Sequence, residues 1–272
     1  MTQADRIQAQ EKEARLLNLF KTYGEVLIAY SGGVDSAYLA DVAHEALGDK
    51  AQLIIADSPS IPREELQDAL ELAEKRNWPL TVISTDEFEN TDFLNNDKMR
   101  CYYCKSTLFS AMREYANKKN ISVIIYGETA EDSFDATRVG VQAAHKAHAR
   151  APLAEVGFTK DEIRACSHIR NLPTWNKPSF ACLASRIPTN QPISIEVLSR
   201  IESAEGLLKQ AGCRQYRARH HDTLCRIEVE TEDFERLIQP EVRKQLVEKI
   251  QALGYRYVTL DLAGYKTGST AG

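Results

Sequence analysis

No run of apolar residues in this 272-residue chain approaches the roughly 18–20 that a membrane-spanning helix needs. The stretch Met1 to Gln10 is polar and has no apolar core of a secretory signal, so a cytoplasmic protein with no membrane partner is expected. Cysteine is scarce. Six residues exclude a disulfide-rich scaffold at this length, and in a reducing compartment any close pair points to metal or redox chemistry. An excess of positive charge is also missing: the formal net charge of -5 argues against a non-specific nucleic-acid binder. Internal repeats and low-complexity tracts are absent. What is left, at 43% hydrophobic and 27% charged residues, is a globular chain able to build one large domain or two smaller ones.

The apolar patterning points to an α/β protein with a doubly wound parallel sheet. Ile7 to Phe20 has helical spacing, and Val26 to Tyr30 is a continuous apolar run of the kind buried on both faces of such a sheet. Further strands are expected at Leu53–Ala56, Leu80–Ile83 and Ser122–Tyr126, with helices at Ser36–Leu47 and about Glu64–Arg76 between them. The rhythm weakens from Gly127 to Pro192, although Thr159 with Glu162 predicts a capping box. From Ile193 the order becomes helix, two strands (about Gln215–His220 and Leu224–Val229), helix and a last strand at Tyr255–Leu260. The expected division is a nucleotide-type domain over 1–188 and a smaller α+β domain over 189–272 for substrate binding or oligomerisation.

Ser31-Gly32-Gly33-Val34-Asp35-Ser36 lies between a buried strand and a helix. The two glycines allow a tight turn that brings backbone N–H groups to an anion, and the helix adds its positive end. Ser31 and Ser36 offer hydroxyl donors. Asp35 repels phosphate and is therefore expected to act through a divalent cation, Mg²⁺ in ATP chemistry. The lysine of G-x-x-x-x-G-K-[ST] is missing, which removes the ordinary P-loop mechanism. The six positions instead resemble the SGGxDS loop of the PP-loop ATP pyrophosphatases, among them GMP synthetase, NAD synthetase and tRNA thiolation enzymes. That resemblance implies ATP as cosubstrate, adenylylation of a substrate oxygen and release of pyrophosphate.

Two other clusters carry chemistry. Cys101 and Cys104 form a C-x-x-C ahead of an expected helix, a spacing open to an iron–sulfur cluster, a dithiol or zinc. Cys182, in the irregular segment ending at Arg186, is a third candidate sulfur with a cationic neighbour that favours thiolate. Cys166 and Cys225 read as buried fillers and Cys213 as incidental in a turn. Arg214, Arg217, Arg219 and Arg226 concentrate positive charge beside His220 and His221, either as a solvated strand edge or as an anion site.

These segments together resemble the LarE family, ATP-dependent sulfurtransferases that act in nickel-pincer nucleotide synthesis. The resemblance is carried by Ala29–Ser36, Trp175-Asn176-Lys177, Ser185-Arg186-Ile187-Pro188, Arg217-Ala218-Arg219-His220, Arg226-Ile227-Glu228 and the closing run Leu253–Leu262. It implies adenylylation of a carboxylate of pyridinium-3,5-biscarboxylic acid mononucleotide, replacement of oxygen by sulfur, a sulfide donor and a symmetric homo-oligomer. It further implies that Arg186, Glu205, Arg217 and Arg219 bind substrate or phosphate. Members that sacrifice their own cysteine lack the C-x-x-C. The three-cysteine pattern resembles thiolation enzymes with an open-site [4Fe-4S] cluster, implying that Cys101, Cys104 and Cys182 hold one and are catalytic. The alternatives are a sacrificial Cys182 and a tRNA-thiolating or amide-forming PP-loop enzyme.

Overall fold

Strand β1 (Val26–Ala29) is fully buried at Val26, Leu27 and Ile28 and has a neighbouring strand on each side. It pairs in parallel with β2 (Ala51–Asp57) and with β4 (Ile124–Tyr126), and β3 (Leu80–Ser84) extends the sheet in the order β3-β2-β1-β4. The computed structural model describes residues 3–132, 139–178 and 181–266. Both faces of the sheet are covered. Leu27, Ile54 and Ile124 pack with Phe109, Met112 and Ala116 of helix α5 (Arg100–Lys119). The alternating residues Val26, Ile28, Leu53, Ile55 and Ile125 point the other way and are equally buried. Helix α2 (Val34–Leu47) lies against β1 and β2 and packs with α1 (Gln3–Tyr23).

The strand order has a functional consequence. From β1 the chain builds outward through β2 and β3, then returns to place β4 on the opposite side of β1. The order therefore reverses between β1 and β4, the position where open α/β sheets bind ligands beyond their strand ends. The Ser31–Ser36 loop leaves β1 there, and Gly127 leaves β4.

Around the sheet run α3 (Arg63–Lys75), α6 (Val139–Lys146), α7 (Pro152–Val156) and α8 (Lys160–Ile169), whereas α4 (Thr91–Leu94) follows β3 in the chain and belongs to the second unit described below. The expected capping box at α8 is present. The Thr159 hydroxyl accepts from the Glu162 N–H at 3.3 Å and the Thr159 N–H donates to Glu162 Oε2 at 2.8 Å. Glu162 also receives Lys12 Nζ at 2.7 Å. Burial pushes the Glu162 carboxyl up, but Lys12 and the Thr159 N–H more than offset it and hold it below the usual carboxylate range.

The chain separates into two compact units. The first comprises Met1–Ser58, Arg63–Asn90 and Cys101–Ser179; the second comprises Pro59–Pro62, Thr91–Arg100 and Phe180–Gly272. The second contains α9 (Ile195–Gln210), β5 (Tyr216–His221), β6 (Leu224–Val229), α10 (Phe234–Ile238), α11 (Pro240–Ala252) and β7 (Tyr257–Leu260). β5 and β6 are antiparallel, and β7 adds parallel to β6. β7 starts two residues later than its sequence suggests, because Tyr255 turns into the core after Gly254 (φ 101°). That core gathers Ala204, Leu208, Tyr216, Ala218, Cys225 and Ile227. The two early segments are tied into this unit by Asn96, whose Nδ2 donates to the carbonyls of Pro188 and Gln191 at 2.9 Å, and by Leu183 N donating to Ser60 O at 2.8 Å. Among the described residues no helix is long and apolar enough to cross a membrane.

Candidate active site

The phosphate loop is fixed by its own side chains. Ser31 N donates to Ser36 Oγ at 3.2 Å, the two hydroxyls stand 3.0 Å apart, and Ser36 Oγ donates to Gly33 O at 3.2 Å. Gly32 has φ +68°, and a Cβ there would stand 2.5 Å from Ala69 Cβ on α3, so only glycine fits the turn. Gly33 is the N-cap of α2 and makes no side-chain bond to it. The first N–H groups of α2 therefore face the loop without a side-chain cap, as an anion site requires. Gly127 comes so close that a Cβ on it would lie 3.0 Å from Ser36 N.

Sequence reasoning missed Lys160, 125 residues from its partner. Its Nζ donates to Asp35 Oδ2 at 2.5 Å, while Asp35 Oδ1 is buried without a hydrogen-bond partner. An orphaned carboxylate oxygen beside a phosphate loop suits a hard cation, so Asp35 fits the Mg²⁺ role. Glu128 was also missed. It is buried just past β4 and accepts from the Tyr126 hydroxyl, whose pKa is raised by burial and by this carboxylate. A cavity of about 170 Å³ opens at the loop, lined by Ser31, Gly33, Asp35, Ser36, Lys105 and Tyr126 among others.

Cys101 and Cys104 do not precede a helix; they stand inside the first turns of α5, three residues apart and so on one side of it. Cys101 is exposed and Cys104 half-buried, and all six cysteines stand outside any disulfide. Cys182 is half-buried in the second unit; Ser179 and Phe180, which lead into it, lie outside the described residues. Among the described residues no three His, Cys, Asp or Glu side chains are grouped as a ready metal site. The other three thiols are structural. Burial pushes Cys166 up to about 11 and Cys225 up to about 12. Cys213, expected to be incidental, packs in the core of the second unit.

Arg217 and Arg219 are buried with Arg186 and do not form a solvated strand edge, whereas Arg226 is half-buried and Arg214 is exposed. On β5 the period of two turns Tyr216, Ala218 and His220 to one face and Arg217 and Arg219 to the other, opposite Glu228 and Arg226 of β6. Arg186, fully buried, grips Glu205 through Nε–Oε1 at 2.8 Å and Nη2–Oε2 at 3.0 Å and also donates to Cys182 O at 3.0 Å. Arg219 pairs with Glu228 at 2.9 Å and donates to Ser185 O at 2.9 Å. Arg217 lies over the Tyr265 ring, its pKa lowered by burial and by Arg186. Arg186, Arg217, Arg219 and Arg226 thus face Glu205, Glu228 and Asp261, a surplus of positive charge that favours an anion. Arg214 belongs to neither strand.

Comparison with known proteins agrees with this geometry. A family described as NAD synthase matches residues 17–134, the span that holds the loop and the sheet. An uncharacterized protein of Synechocystis sp. is 40% identical over 94% of this chain and 96% of its own length. The pyridinium-3,5-bisthiocarboxylic acid mononucleotide synthase of Lactiplantibacillus plantarum is 31% identical over 94% of this chain and 92% of its own length. A GMP synthase of Brucella melitensis shares 38% identity over 24% of this chain and 13% of its own length. Likeness to a glutamine-hydrolysing enzyme is thus local, whereas likeness to the thiocarboxylate synthase runs nearly end to end, and the chain belongs to the LarE family of ATP-using sulfurtransferases.

Proposed function

We propose that this enzyme adenylylates a carboxylate of pyridinium-3,5-biscarboxylic acid mononucleotide, releases pyrophosphate and exchanges an oxygen for sulfur, giving a thiocarboxylate for nickel-pincer nucleotide synthesis. The likeness over 94% of the chain to a synthase of the bisthiocarboxylate product carries this reading. In the first step a carboxylate oxygen attacks the α-phosphate of ATP and pyrophosphate leaves. In the second a sulfur nucleophile attacks the carbonyl carbon, and the oxygen departs with AMP. Adenylylation is needed because a carboxylate oxygen is otherwise a poor leaving group.

The chain's own residues divide this work. Ser31, Gly32, Gly33 and Ser36 present N–H and hydroxyl donors to the departing pyrophosphate. Mg²⁺ bound by Asp35 would neutralise phosphate charge at the loop. Arg186, Arg217 and Arg219, with Glu205 orienting Arg186, bind the anionic substrate nucleotide. Cys101, Cys104 and Cys182 would hold a [4Fe-4S] cluster, whose chemistry when bound would be to carry sulfide from an external donor. Residues 189–272 serve substrate binding and self-association, making the active species a homo-oligomer.

A second reading, in which Cys182 gives up its own sulfur, is supported by its half-buried thiol. Two measurements decide. Pyrophosphate release should depend on the pyridinium nucleotide, and dependence on tRNA would overturn the substrate assignment. Anaerobically purified protein should contain about four irons per chain and return Cys182 intact by mass spectrometry after turnover; loss of one sulfur from Cys182 selects the sacrificial route.

A further inference from the structure

Of the described residues lining the loop cavity, Asp35 and Lys105 alone carry side chains charged at neutral pH. The loop has lost the lysine of ordinary P-loops, yet the polyphosphate must still be neutralised. Lys105 comes from α5, the helix that carries Cys101 and Cys104, and not from the loop. Its Nζ lies 5.9 Å from the centroid of the Tyr126 ring, which lines the same cavity. On α6, Gly140 leaves room for the lysine stem: a Cβ there would stand 2.9 Å from Lys105 Cδ and 3.4 Å from Nζ. The cavity, at about 170 Å³, is smaller than a typical site for a whole ligand of nucleotide size, and so suits only the phosphate end of one.

We infer that Lys105 is a phosphate-binding residue whose ammonium contacts the pyrophosphate portion of ATP, supplying from α5 the cation that the loop lacks. The inference rests on the ATP-using reading above and names a residue that neither the loop motif nor the C-x-x-C marks. It also gives α5 two tasks in neighbouring turns, sulfur chemistry at Cys101 and Cys104 and leaving-group binding at Lys105.

Titration calorimetry of the full-length protein with Mg·ATP, Mg·AMP and magnesium pyrophosphate tests this. Lys105→Met should weaken ATP and pyrophosphate by about tenfold or more and AMP by less than about twofold, as expected for loss of one charge-assisted hydrogen bond. Lys105→Arg should recover most of the loss. Gly140→Ala, which favours helix but displaces the lysine stem, should weaken ATP without lowering Tm. That variant decides the matter if Lys105→Met does not fold. Unchanged ATP affinity in Lys105→Met, or equal losses for ATP and AMP, would overturn the inference. A wild-type protein that binds neither ATP nor pyrophosphate would remove the functional reading along with it. One that binds ATP through Lys105 but transfers no sulfur would support Lys105 and remove only the substrate assignment.

Discussion

At Gly32 the backbone is left-handed and α3 is in contact, so two independent costs meet any side chain placed there. Gly32→Ala is expected to lower stability by about 1–3 kcal/mol in urea denaturation and to abolish ATP binding. Adding Ala69→Gly should relieve the contact but not the dihedral strain, so ATP binding should return only in part. The thiols separate in the same local terms. In metal-free protein at pH 8, iodoacetamide should label Cys101 and Cys182 first and spare Cys166, Cys213 and Cys225 until the chain is unfolded, as peptide mass spectrometry would show. Labelling of Cys225 in the folded protein would contradict its burial. The phosphate loop was readable as a motif because six adjacent residues carry it. Lys160 was not, because its partner Asp35 is brought to it only by the packing of α8 against α2.

Among the elements, α8 shows how a local signal can serve a distant site. The Thr159–Glu162 box was legible from two residue types three apart, and it fixes the helix start at which Lys160 stands. Thr159→Ala should cost about 1 kcal/mol of stability, measured by urea denaturation, and weaken ATP binding through the displaced lysine. A stability loss with ATP affinity intact would show that α8 does not need the cap to deliver Lys160. For β5 and β6 the strand period places Arg217 and Arg219 on one face, but nothing in that period says the face would be covered. Burial of Arg186 and Arg219 depends on carboxylates supplied by α9 and β6, and no pattern local to Arg217–Arg219 encodes those. The helical start of α5 at Arg100 was missed because C-x-x-C resembles a loop motif, whereas the helix begins before it and carries both cysteines in its first turns.

Across the whole molecule, acid sensitivity should arise in the second unit. His220 is held below its ordinary pKa by burial and then by Arg200, and His221 by burial and then by Arg226 and Arg219. The unfolded chain therefore takes up these protons first. The stability they contribute is complete above the unfolded value near 6.5 and is lost as pH falls through their lower folded values. Urea midpoints should decline from pH 7 to 5, and the double substitution His220→Gln, His221→Gln should flatten that decline. The sequence suggested two domains in succession, yet the second unit also recruits Pro59–Pro62 and Thr91–Arg100, because tetrapeptide- and decapeptide-scale segments carry too little pattern to reveal an allegiance so far down the chain. Their partners follow nearly ninety or more residues later, as with Asn96 and the carbonyls of Pro188 and Gln191. On the ribosome, which adds residues in order, Asn96 emerges well before those carbonyls exist, and its amide must remain hydrated until they arrive. Translation of the last third of the chain is thus the event that closes the second unit, and a ribosome stalled before Pro188 would carry a nascent protein with this brace still open to water.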